Sequence, residues 1–138
     1  MKKYFAICLT FLAMVVVACS RIEEPKEVAE KFLDAMQRKD YREASSYGTT
    51  ETVKLLNLYE RISAMNGELP DEKPGKITIL SEDIKGKTAI VYFREEGNDS
   101  EQRITLKKVD LDGKAEWKVA LKKDEIDFGK GSQDTPLL

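Results

Sequence analysis

A chain of 138 residues without a single histidine must do any chemistry it does with carboxylates, tyrosines and two cysteines. The commonest general base is missing. A buried carboxyl raised in pKa can take a proton from carbon while a tyrosine holds the oxyanion, and that route needs neither metal nor histidine. The tyrosines open to it are Tyr41, Tyr47, Tyr59 and Tyr92. The carboxylates fit it poorly. Asp34 lies opposite the apolar face of its helix, Asp40 reads as a helix cap, and Glu95, Glu96 and Asp99 surround a turn. Glu101 and Glu116 open strands, where water reaches them. None is an isolated acid inside an apolar strand, the pattern that argues for a perturbed pKa. No Gly-rich phosphate loop, nucleophile turn or Asp-rich calcium loop occurs, so the sequence offers no cofactor and no metal site.

The cysteines carry a sharper signal. Lys2 and Lys3 open the chain, Tyr4 to Val17 is almost continuously apolar, and Val16-Val17-Ala18-Cys19 closes the run. About fourteen apolar residues fall short of the ~20 that a spanning helix needs, so residues 1–18 read as a secretory signal peptide. The closing tetrapeptide resembles the lipobox of bacterial lipoproteins, in which the cysteine is lipidated and the chain is cut just before it. Cys8 would leave with the signal peptide, and Cys19 would carry a thioether, so no internal disulfide is expected. The expected location is the bacterial cell envelope, with the membrane as partner through the Cys19 lipid. Ser20 follows where an aspartate would resemble an inner-membrane retention signal, which favours the outer membrane. A tether over residues 19–24 keeps the domain near the headgroups, since its last five residues reach at most ~18 Å.

Taking Lys2 and Lys3 from the 23 basic residues leaves 21 against 25 acidic ones. With no basic patch interleaved with aromatics, no nucleic-acid partner is expected. The lysine runs Lys107-Lys108 and Lys122-Lys123 read as solvated strand edges that discourage aggregation.

Pro25 to Lys39 predicts an amphipathic helix. At about 100° per residue, Val28, Ala29, Phe32, Leu33, Ala35 and Met36 share one face. Asp40-Tyr41-Arg42-Glu43 opens a short second helix that Gly48 ends. Thr49 or Thr50 caps a third running to about Met65. Its apolar set (Val53, Leu55, Leu56, Leu58, Tyr59, Ile62) is too wide for one face, so part of it should line a cavity or meet a second surface. After Leu69 to Gly75, with its two prolines, the period changes from 3.6 to 2. Lys76 to Asp83, Thr88 to Glu95, Glu101 to Val109 and Glu116 to Leu121 predict four strands joined by short turns. The expected fold class is α+β: three N-terminal helices packed on a curved four-stranded antiparallel sheet, over residues 25–128. Residues 129–138 read as a flexible tail.

This order resembles the nuclear-transport-factor-2-like, or cystatin-like, superfamily. More narrowly it is similar to small bacterial lipoproteins with a domain grouped near the lumazine-binding-like domains. The resemblance rests on residues 25–36, on Lys39-Asp40-Tyr41-Arg42-Glu43-Ala44, and on Asp112-Gly113-Lys114 leading to Trp117-Lys118-Val119. It covers about residues 25–122 and implies a cone-shaped fold. It does not imply an activity, since that superfamily holds isomerases, dehydratases, binding proteins and assembly modules.

Trp117 and Phe93 have inward parity on neighbouring strands, and Phe32, Met36, Leu56 and Tyr59 can close a pocket over them. A domain of this length needs most of its aromatics for burial, which favours a filled core over an open pocket. The functional expectation is a non-catalytic envelope protein that binds a small molecule or a protein partner. The alternatives are an isomerase- or dehydratase-like enzyme, or a module that forms a homodimer through the outer sheet face, where Ile90, Tyr92 and Ala120 mix with Thr78, Thr105 and Lys118.

Overall fold

Proline can open a helix but not continue one, and Pro25 takes the first position of α1 (Pro25–Gln37). Our computed structural model describes residues 21–68 and 75–122, so Cys19, the signal peptide and the tail lie outside the described residues. The backbone N–H of Glu24 donates to Glu27 Oε2 at 3.0 Å, closing the first turn. The helix ends two residues before the expected Lys39 because Lys39 turns into the left-handed region, at φ 55°. There the Lys39 N–H bonds to Met36 O and the Asp40 N–H to Ala35 O, which satisfies the last carbonyls.

Asp40 then accepts the Glu43 N–H at 2.9 Å and starts α2 (Tyr41–Ser46). Thr49 caps α3 (Thr50–Met65). The ends of α1 and α3 are tied together by Glu68, whose Oε2 accepts from Ser63 Oγ at 2.8 Å and Lys39 Nζ at 3.3 Å. The Ser63 hydroxyl, and after it Lys39, hold the Glu68 carboxyl below its ordinary pKa.

The four strands, β1 (Ile77–Lys85), β2 (Thr88–Glu95), β3 (Gln102–Leu111) and β4 (Lys114–Val119), pair antiparallel in sequence order in one curved, open sheet. Asp112 and Gly113, both at positive φ, make the tight β3–β4 turn. Alternation puts Ala89, Val91, Phe93, Ile104, Leu106, Trp117 and Val119 on the inner face, where all are buried. Helix α1 lies across all four strands and covers them with Val28, Ala29, Phe32, Leu33 and Met36. Helices α2 and α3 pack on each other, with α2 against α1, and they add Ala44 and Leu56 to the same core. The fold is therefore the expected α+β arrangement of three helices and a four-stranded antiparallel sheet.

Strand β1 departs from simple alternation. Ile79 lies opposite Phe93 but Ser81 opposite Tyr92, leaving Leu80 as an extra, bulged residue. The bulge swaps faces for the rest of the strand and brings Glu82 to the inner face opposite Val91. Its Oε2 accepts the Lys26 N–H at 3.2 Å, at the start of α1. A carboxylate is favoured there by the helix dipole.

The free edge of β4 is closed by the α2–α3 link. Thr49 N donates to Val119 O at 2.9 Å, Val119 N donates to Tyr47 O at 2.8 Å, and Gly48 bridges Val119 in parallel.

Candidate functional site

The end of the sheet at the β3–β4 turn holds a cavity of about 630 Å³. Its floor is the indole of Trp117, with Ala115 beside it on β4. Tyr47 and Ser46 from the end of α2 form one side, and Val28 reaches in from the first turns of α1. The segment Arg21-Ile22-Glu23, just before α1, forms the remaining wall. Helix capping and strand pairing thus place every wall: Pro25 fixes where the chain enters α1, and the edge pairing at Gly48 fixes Tyr47 against β4.

Charges around this groove are mostly satisfied by neighbours. Glu23 pairs with Lys31, and that contact holds the Lys31 ammonium above its ordinary pKa. Arg21 reaches Glu27 at 3.3 Å and Glu24 at 3.7 Å. The Lys118 side chain, only 18 % exposed, donates to Ser46 O at 2.9 Å and pairs with Glu116 at 3.1 Å. That places a cation at the carbonyl end of α2, where the helix dipole favours it. Lys108 sits 5.7 Å from the centre of the Trp117 ring, a cation–π contact. No ion pair to Lys114 is present among the described residues, and Lys114 is exposed at the groove's rim.

No known protein family, curated protein or solved structure matches this chain. The site must therefore be judged on its own chemistry.

Of the six residues expected to line a pocket, Phe32, Met36, Leu56, Phe93 and Trp117 all belong to the buried core. Only Trp117 also faces the groove. Tyr59 is half-buried and stacks on Tyr41 with ring centres 6.5 Å apart. Trp117 and Phe93 are not on neighbouring strands, because β3 stands between β2 and β4. Phe93 is level with Gln102 and Trp117 with Lys108, six residues apart along β3. At about 3.3 Å per residue they lie roughly 20 Å apart, at opposite ends of the sheet.

The groove residues that sequence reasoning passed over are Ile22, Tyr47 and Lys114. The sequence places Ile22 in the tether before α1 and offers Tyr47 as an acid–base group at the end of a short helix. The one available signal was the unbroken hairpin Asp112-Gly113-Lys114, which fixes Lys114 three positions before the tryptophan.

The two acids at the groove, Glu23 and Glu116, are largely exposed and ion-paired. Among the described residues, no group of three or more metal-ligating side chains is close enough to hold an ion. No described helix is long and apolar enough to cross a membrane. The arrangement provides an apolar floor, an aromatic edge and a charged rim, which is the composition of a binding cleft.

Proposed function

We propose that this chain is a lipid-anchored protein of the bacterial cell envelope whose single domain binds a small molecule without transforming it. The observation that carries the reading is the groove at Trp117. Its volume falls within the roughly 300–1,000 Å³ typical of small-molecule clefts. One wall is the segment that directly follows the proposed lipid attachment site at Cys19. Only Ser20 separates Cys19 from Arg21, so the groove opens close to the membrane surface. The helix order, the curved antiparallel sheet and the tryptophan on the last strand support reading the domain as nuclear-transport-factor-2-like. Ion pairing of both groove carboxylates supports binding over proton transfer.

Two experiments test the two halves of this reading. Cys19→Ala is expected to abolish fatty-acid labelling of the protein in its host and to release it from the membrane pellet or leave it unprocessed. A variant that is still labelled would overturn the anchor. Native mass spectrometry of the chain, extracted gently from its own envelope, should show a stoichiometric small-molecule adduct. A clean apo mass in repeated preparations would count against a ligand. It would favour a protein partner instead, for which α3 offers Leu58, Ile62 and Met65, exposed by 53, 43 and 86 %.

A further inference from the structure

The groove's chemistry narrows the class of ligand. A flat aromatic ligand would need an open face of Trp117 to stack on. Trp117 is 7 % exposed, and Lys108 lies over its ring. Little of the indole is left for a guest to stack on. A flexible alkyl chain needs no more than that. It gains from apolar contact, and Val28, Tyr47, Ala115 and Trp117 all line the groove. Ile22 is the most telling member. It faces the same groove yet is 48 % exposed, an apolar side chain left half in water beside an apolar floor. A chain lying in the groove would cover it.

Charge defines the other end of the guest. Glu23, Glu116, Arg21 and Lys118 all have partners of opposite sign nearby. Lys114 has no ion pair among the described residues, and Lys108 contributes a second positive charge beside the ring. Among the described residues that line the groove, the charge left without an ion pair is the cation Lys114. An anionic group on the guest would be matched there, whereas a cationic group would be repelled.

We infer that the groove takes a single-chain anionic amphiphile, its alkyl chain along Ile22, Val28, Tyr47 and Trp117 and its carboxylate or phosphate at Lys114. This rests on the proposed small-molecule reading and deepens it. The guest is a free amphiphile, because Lys114 calls for a charged headgroup. An acyl chain borne on Cys19 would enter through an uncharged ester or amide link.

The full chain in phosphatidylcholine vesicles, photolabelled with a diazirine analogue of palmitic acid, tests the inference. Adducts mapped by peptide sequencing should fall on Ile22, Val28, Tyr47 and residues 115–117, and unlabelled myristic acid should compete them away. Lys114→Glu, on an exposed turn, should lower groove labelling about ten-fold, the effect of losing one charge-assisted hydrogen bond. Lys114→Gln should fall between the two. Labelling by the matching neutral alcohol should be weak and unaffected by either variant.

Equal labelling by alcohol and acid would overturn the anionic headgroup while leaving a groove that binds alkyl chains. A several-fold rise in labelling with Cys19→Ala would identify the chain's own lipid as the occupant and overturn the free amphiphile. Absence of groove adducts with either probe would overturn the inference. The small-molecule reading would survive that result only if native mass spectrometry still showed an adduct.

Discussion

Thr52→Val should destabilise the domain by about 2–4 kcal/mol and lower its melting temperature by roughly 10–30 °C, although it changes only a hydroxyl to a methyl. Thr52 is fully buried. Its Oγ1 donates to Val119 O at 2.8 Å and accepts the Leu121 N–H at 3.0 Å, which locks α3 to the end of β4. Valine fills the same space but can do neither. Val119 O keeps the Thr49 N–H as a partner, whereas Leu121 N loses its protein acceptor in a partly buried site. An orphaned backbone donor costs about 1–3 kcal/mol, and the lost bond adds about 1. Thr52→Ser keeps the hydroxyl and should cost much less. Thermal and urea melts followed by circular dichroism compare the two. If valine is tolerated as well as serine, the hydroxyl is not what joins helix to strand.

Gly48 belongs to the same joint for a reason of space. A Cβ there would lie 2.8 Å from Thr52 Cγ2, closer than real side-chain contacts come. The chain runs close enough to bridge Val119 because no side chain stands in the way. The sequence marks Gly48 as a helix stop, and it is one. Its second role is set by a residue 71 positions further along the chain, which no local pattern can show.

How legible the rest was follows the range of the interaction responsible. The helices and the four strands were readable because capping residues, apolar periodicity and turn glycines act within a few positions. Asp40 and Thr49 cap the helices that the sequence assigned to them. The excess apolar width of α3 was legible, but no α3 residue lines the groove it was expected to help form. Leu56 is buried, while Leu58 and Ile62 stand exposed. The bulge at Leu80 was not, because either register of Ile77 to Ile84 keeps isoleucines alternating in part. Pairing with β2 decides it, and it brings the acid Glu82 to the inner face against the start of α1.

The candidate site shows the same division. Strand parity found Trp117 and Phe93, helical periodicity found Phe32, Met36 and Leu56, and all five are buried. Parity says which face a side chain takes, not how far along the sheet it sits. The distance between Phe93 and Trp117 depends on the stagger of three strands. The groove forms where the core runs out, between the end of α2, the β3–β4 turn and the segment before α1. Its walls come from residues separated by up to 97 positions, Arg21 to Lys118, and their meeting is a property of the packed domain.

Phe32→Ala should cost about 3–5 kcal/mol. Phe32 is 0 % exposed on the face of α1 that crosses the sheet, with Leu33 and Met36 also buried beside it. The surrounding elements are held by strand pairing on one side and by α2 on the other, so they can collapse little into the space a lost ring leaves. Native stabilities commonly lie near 5–15 kcal/mol, so this change should remove a large share of the total. Phe32→Leu keeps most of the volume and should lose far less. Trp117, the only tryptophan, reports the outcome from the groove end of the same core. Val28 lies one turn before Phe32 on the same helix face and forms part of the groove wall. If α1 and the sheet unfold as one unit, Trp117 emission and far-ultraviolet circular dichroism of Phe32→Ala will follow one shared transition. An emission change that precedes loss of secondary structure would instead mean that the groove end opens separately. The ligand would then bind to a locally mobile site, and saturating amphiphile should bring the two transitions back together.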